Sequence, residues 1–307
     1  MNALTLDAAD PLVIAAREAE ARLYAGYGLS ARERYVLLPS LGIRVRVTEI
    51  GSGPPLVIVP GNTGDAFPLA SLMQQLPGRR LIAINRPGGG LSEGMDHRTV
   101  DIRAFAVNTL TTILDALGLD QVDVLAHSMG AHWSFYLAMD RPERVRRLVT
   151  LGNPGNVMKG NAPLLLRLLA KPPLNRLLMK LVVPSEREKS LGVLKMMGHS
   201  AATIERQPRA FGDCYFHFRR LPHYALSSMS LLAKLPPSLG AADLARVPQP
   251  VALLWGSKDS FAGLDVGRSV AQALPRGELH ALDGAGHLPW LEDPEACGRL
   301  VREFLER

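Results

Sequence analysis

Short apolar runs alternate along this chain with longer stretches in which apolar residues recur every three or four positions. Residues 56–59 are continuously apolar, as in a strand covered on both faces. Residues 35–38, 43–50, 81–84, 122–125, 145–151, 251–255 and 278–282 also read as strands. Residues 100–117 carry Ile102, Phe105, Leu110, Ile113, Leu114 and Leu117 at helical spacing. Helices are likewise expected over 131–139, 266–274 and 294–305. Near the N-terminus, Asp10 followed by Pro11 has the form of a helix cap with proline in the first turn, predicting a helix to about Tyr24 that ends near Gly26. Alternating strands and helices of this kind imply an α/β fold. The expected architecture is a mostly parallel, doubly wound sheet of about eight strands with helices on both faces.

The alternation stops between Pro154 and Pro248, where the pattern is helical and broken by prolines such as Pro172, Pro173, Pro184, Pro208, Pro222, Pro236 and Pro237. The expected organisation is therefore an N-terminal helical extension (1–33), a core in two pieces (34–154 and 247–307) and an inserted helical cap (155–246). Within the cap, 164–183 is leucine-rich, and Arg167 with Lys171, and Arg176 with Lys180, share a helix face. A basic amphipathic helix can lie on a membrane. Pro172-Pro173 divides the run into two short helices, which favours a cover for an apolar cleft.

Composition narrows the function classes. Hydrophobic residues make up 47% and charged residues 21%, ordinary for a chain that buries a large core. The net charge of +6 is spread out, with aromatics not interleaved among the arginines, so a nucleic-acid groove is not expected. Cys214 and Cys297 lack metal-site spacing and are too few for a disulfide framework. Neither a signal peptide nor an apolar run of about 18 residues is visible, so a cytoplasmic location without stable membrane insertion is expected. Nothing in the pattern sets an oligomeric state.

The most informative stretch is Val122-Asp123-Val124-Leu125-Ala126-His127-Ser128-Met129-Gly130-Ala131. It reads as a strand, a turn of small residues around one serine, and the start of a helix. This matches the nucleophile elbow G-x-S-x-G, with Ala126 in place of the first glycine. A serine becomes a useful nucleophile only beside a base that a third group orients. Asp259 and His287 supply such a pair: Asp259 closes Trp255-Gly256-Ser257-Lys258-Asp259 beyond one strand, and His287 sits in Gly284-Ala285-Gly286-His287-Leu288-Pro289-Trp290 beyond the last. Asp265 and Asp283 compete with Asp259, but Asp265 falls in or near the following helix and Asp283 is too close to His287 in sequence. The position after the sixth strand, another place for an acid, reads Asn153. The side chain of His127 is expected to point away from the pocket. Oxyanion donors are expected from the backbone N–H of Met129 and of Asn62, in the glycine-rich loop Pro60-Gly61-Asn62-Thr63-Gly64.

With these residues the chain, from about Arg34 to its end, resembles the α/β-hydrolase superfamily in its cap-bearing branch of esterases, lipases and C–C-bond hydrolases. Asn85-Arg86-Pro87-Gly88-Gly89-Gly90-Leu91-Ser92 looks like that family's glycine-rich loop, and Gly286-His287-Leu288-Pro289 with Glu292 and Pro294 like its C-terminal histidine motif. Three positions depart from the pattern. Ala126 replaces the first elbow glycine, Pro60 replaces a histidine before the oxyanion loop, and Asn85 replaces an aspartate. The resemblance implies a serine esterase with Ser128 as nucleophile, His287 as base and Asp259 as its orienting acid. A serine argues against dehalogenase or epoxide-hydrolase chemistry, which in this superfamily uses aspartate.

No phosphate cradle ending in Gly-Lys-Ser/Thr and no metal-helix spacing is present in the sequence, so no cofactor and no metal are expected. The expected partner is a small ester with an apolar acyl or aromatic group. Trp290, Met158 and His217 are the candidate substrate contacts, and Met179, Met196, Met197 and Met229 add apolar surface to the cap. A lactonase, a thioesterase or acyltransferase, a C–C-bond hydrolase and a cofactor-free oxygenase stay open. So does a slow-turnover receptor on the same fold. In three dimensions Ser128 Oγ should lie within about 3.5 Å of a His287 nitrogen. Activity should rise with pH through the ordinary imidazole range, about 6.5.

Overall fold

The computed structural model describes residues 4–158 and 186–307. The leucine-rich stretch 164–183, with its paired basic residues and Met179, lies outside the described residues.

Eight strands form one sheet: β1 (Ala31–Leu38), β2 (Ile43–Ile50), β3 (Pro55–Val59), β4 (Arg80–Ile84), β5 (Val122–His127), β6 (Val145–Leu151), β7 (Val251–Gly256) and β8 (Gly277–Leu282), in the order β1-β2-β4-β3-β5-β6-β7-β8. The β1–β2 and β2–β4 pairs are antiparallel, and every other pair is parallel. The chain runs outward from β3 to β4 and then crosses back to β5. Where successive strands leave in opposite directions, a crevice opens at their carboxyl ends, the usual ligand position in a sheet of this type.

Side chains alternate between the two sheet faces with the period of two that strands impose. Val57 and Val59 enter one core with Phe105 and Leu110 of α3 (Ile102–Ala116), Trp133 and Phe135 of α4 (Met129–Asp140), and Val270 of α10 (Leu264–Ala273). Leu56 and Ile58 enter the opposite core with α1 (Pro11–Gly26), α2 (Ala70–Gln74) and α11 (Pro294–Leu305). Expected and observed elements coincide closely for α1, β2, β6 and α11. The short helix α2 carries no periodic signal long enough to read.

Between β6 and β7 the described residues are helical: α5 (Gly192–Met196), α6 (Ala201–Glu205), α7 (Arg209–Phe218), α8 (Tyr224–Leu232) and α9 (Ala241–Leu244). Helix α1 packs on α7. Val13, Leu23 and Tyr24 share one core with Phe67, Phe211, Cys214 and Phe218. The N-terminal helix is thus built into both cap and core. It is also fastened by charge: Glu20, 2% exposed, meets Arg46 of β2 at 2.6 Å. Arg46 in turn bonds Glu33 at 2.7 Å and Asn85 Oδ1 at 3.2 Å. Burial works to lower the Arg46 pKa, and the charge and hydrogen bond of Glu20 outweigh it, leaving it raised. Asn85, which departs from the family's aspartate, therefore serves as a neutral acceptor inside a buried charge network.

Candidate active site

Ser128 stands between β5 and α4 with φ 50° and ψ −120°, a conformation that side-chain-bearing residues rarely adopt. Such strain lifts the hydroxyl out of regular structure. The substituted Ala126 is fully buried in β5, paired with Val59 and Thr150, and the turn forms with it in place. The second elbow glycine is indispensable for space: a Cβ on Gly130 would lie 2.2 Å from the Val59 carbonyl oxygen and 2.4 Å from that of Pro60. Gly130→Ala should therefore destabilise the fold by about 1–3 kcal/mol. A urea midpoint equal to that of the unsubstituted protein would contradict this packing.

His287 follows β8, and its Nδ1 lies 2.8 Å from Asp259 Oδ2. Asp259, after β7, is 6% exposed and held by two amides: Asn153 donates to Oδ2 at 2.8 Å and Phe261 to Oδ1 at 2.9 Å. Asn153 thus anchors Asp259 from the neighbouring strand end. Asp283 is engaged by the Ser257 hydroxyl at the surface instead, and Asp265 lies in α10. With Nδ1 committed to Asp259, Nε2 is the His287 nitrogen left for a nucleophile. Ser128 and His287 line one cavity. Among the described residues no hydrogen bond joins Ser128 Oγ to a His287 nitrogen, although both residues line that cavity.

Asn62 and Met129 line the same cavity. Met129 is the first residue of α4, so its amide has no carbonyl one turn back to bond. The loop that carries Asn62 is shaped by Arg86 from the glycine-rich segment. Its Nε donates to the Pro60 carbonyl at 3.0 Å and its terminal nitrogen to that of Gly61. Arg86 is 1% exposed and lies over the Trp133 ring at 4.6 Å. Burial drives its pKa down to about 9, with Asp65 opposing. A buried guanidinium thus holds the loop in which Pro60 replaces the family's histidine.

His127 departs from the expectation that it points away: it is among the residues lining the cavity, with its ring centroid 4.8 Å from that of His287. Gly61 makes this possible, since a Cβ there would lie 2.7 Å from His127 Nδ1. Nε2 of His127 donates to the His287 carbonyl at 3.3 Å. Burial first, and then the neighbouring His287, keep its pKa well below the usual imidazole value.

The three proposed substrate contacts are also corrected, because none of them lines the cavity. Trp290 is fully buried in a one-turn segment and donates its indole N–H to the Pro68 carbonyl at 2.7 Å. Met158, at φ 51°, packs against the core and bonds the Leu239 carbonyl through its amide. His217 stacks edge-on with Phe216 at 5.1 Å. Of the described cap methionines, Met197 lines the cavity. Its apolar wall includes Val193, Leu232, Leu235, Phe261 and Leu288, around a volume of about 270 Å³.

The sequence pattern did not single out the strap that residues 196–199 lay across the loops of Asp259 and His287. Ser260 Oγ donates to the Met196 carbonyl at 2.6 Å, and the His287 amide to that of Met197 at 2.9 Å. His199 Nε2 accepts from the Leu288 amide at 3.2 Å while Nδ1 meets Glu292 at 2.7 Å. The histidine motif gave a signal for Glu292; an isolated His199 gave none.

A family model described as "alpha/beta hydrolase fold" matches residues 54–294. The chain belongs to the α/β-hydrolase fold family. Among similar proteins, a 2-hydroxy-6-oxononadienedioate/2-hydroxy-6-oxononatrienedioate hydrolase of Pseudomonas putida is 28% identical over 87% of this chain and 93% of its own length. A 2-hydroxy-6-oxo-6-phenylhexa-2,4-dienoate hydrolase of Burkholderia cepacia is 25% identical over 90% and 97%. A crystal structure of a Bacillus subtilis carboxylesterase superposes with a TM-score of 0.75 at 16% identity, covering 95% of this chain and 97% of the other, a likeness of fold. Hydrolase chemistry on this fold is thereby supported. No described helix is long and apolar enough to cross a membrane.

Proposed function

We propose that this α/β hydrolase cleaves a carboxylic ester, or a closely related acyl compound, through an acyl-enzyme on Ser128. The observation that carries the reading is the His287–Asp259 hydrogen bond at the cavity that the strained Ser128 also lines. In the reaction, Ser128 Oγ attacks the carbonyl carbon and His287 Nε2 takes its proton. The Met129 and Asn62 amides receive the oxyanion. His287 then returns the proton to the leaving alcohol, and a water activated by the same nitrogen releases the acid. Asp259 holds the imidazole in one orientation and stabilises its charged form.

A second reading is favoured by the sequence relatives, whose names describe hydrolysis of oxo-dienoates. There the leaving group is carbon, and His287 delivers the proton to it when the C–C bond breaks. The comparison that separates the two is steady-state turnover of nitrophenyl esters of graded chain length beside a vinylogous 1,5-diketone acid. Ester turnover exceeding diketone cleavage by about tenfold or more in kcat/KM, on the order of 1.4 kcal/mol in transition-state binding, is expected. The reverse ranking would replace the ester reading with the C–C reading, and turnover of neither would remove both.

A further inference from the structure

The cavity has a second polar pole that the ester reaction does not use. Asp65, on the loop that carries Asn62, lines the cavity at 5% exposure. Its Oδ1 has no hydrogen-bond partner among the described residues. Facing it from the cap are Arg219, at the end of α7, and the Tyr215 and Tyr224 side chains, all of which also line the cavity. Arg219 is already engaged: NH1 donates to the Ser190 carbonyl at 3.2 Å, and the guanidinium lies over the Tyr215 ring at 4.8 Å. The Tyr224 hydroxyl sits beside Arg219 and Ser228. The Thr63 hydroxyl and the Gly90 amide serve the same carboxyl, so the atom short of a partner is the acceptor Oδ1, and a buried polar atom without one is costly.

We propose that Asp65 is a specificity-determining residue whose carboxyl receives a hydrogen-bond donor, a hydroxyl or an amide N–H, carried on the acyl part of the substrate. The placement of the acyl group rests on the ester reading. Asp65 follows Asn62 by three positions, a span of at most about 10 Å, so an acyl chain of a few carbons links the oxyanion position to this pole. The lining of the cavity as a whole is mostly apolar, which suits a methylene spacer.

The carboxyl also titrates near neutrality. Burial raises Asp65 to about 7, against the Thr63 hydroxyl, Arg219 and the Gly90 amide, which lower it, while Glu20 adds to the rise. Arg86, Cys214, Tyr215 and Tyr224 are the other titratable groups that feel its charge. Above that pH Asp65 only accepts; below it the protonated acid can also donate to a carboxylate. Preference for a hydroxyl over a carboxylate at the far end of the substrate should therefore grow as pH rises through 7.

The test compares nitrophenyl hexanoate, 6-hydroxyhexanoate and the adipate half-ester with the unsubstituted protein, Asp65→Leu and Asp65→Asn. The hydroxy ester should lead the alkyl ester by about 10- to 100-fold in kcat/KM. Asp65→Leu should collapse that ratio, and Asp65→Asn, which keeps an acceptor oxygen, should restore most of it. Calorimetric binding of 6-hydroxyhexanoate and hexanoate to Ser128→Ala reads the same pole without turnover, and serves if Asp65→Leu does not fold. Hydroxy preference in binding, with no ester hydrolysed by the unsubstituted protein, would remove the ester reading and keep the Asp65 pole. Equal binding of the two acids, a ratio indifferent to Asp65, or tightest use of the adipate ester at every pH would overturn the proposal.

Discussion

Ser128→Ala should lower kcat by about 10⁴- to 10⁶-fold while leaving the fold and its urea midpoint nearly unchanged. The size follows from how a nucleophile, base and acid act as one unit: removing the nucleophile alone costs nearly as much as removing all three. What survives is stabilisation by the oxyanion donors and binding, worth roughly 10³–10⁴ over water. Alanine is smaller than serine and the hydroxyl makes no cap bond to α4, so little stability is lost with it. Substrate KM should change little, because the hydroxyl contributes in the transition state rather than to ground-state binding. Single-turnover kinetics with a nitrophenyl ester, alongside covalent labelling followed by mass, would check both halves. Retention of more than a tenth of the parent kcat would remove Ser128 as the nucleophile and direct attention to a water activated by His287.

The site is assembled from groups on separate strand ends, and the cap contributes more than a cover. Residues 196–199 hydrogen-bond to the loop of Asp259 and to that of His287. A movement of the cap therefore cannot leave the acid and the base undisturbed.

The parts legible in the sequence are those set by local pattern. The strand period, the cap at Asp10-Pro11 and the small residues around Ser128 each act within a few positions, and Asp259 and His287 stood out by their places just beyond strands. Side-chain direction was less legible, since it depends on what lies across the cavity. His127 turns inward because Gly61, distant in sequence, leaves the space. Trp290 turns to the core because Pro68 offers its indole an acceptor. Asp65 carried no signal because its importance lies in what surrounds it: burial, and the cap's Arg219 and tyrosines. The first helix likewise read as an appendage, because its attachment runs through one buried charge meeting another far along the chain.

That attachment carries the largest expected stability effect. Arg46→Met should destabilise the protein by about 3–5 kcal/mol, because Glu20 is then a buried carboxylate without its counter-charge. The double variant Glu20→Leu/Arg46→Met removes both charges, and it should recover most of the loss. Urea midpoints for the three proteins supply the measurement. A single-variant loss under 1 kcal/mol, or a double variant no more stable than the single, would mean that α1 is held by Val13, Leu23 and Tyr24 packing alone. If the charges do hold it, the helix that packs on α7 is itself fixed to the sheet through Arg46 of β2.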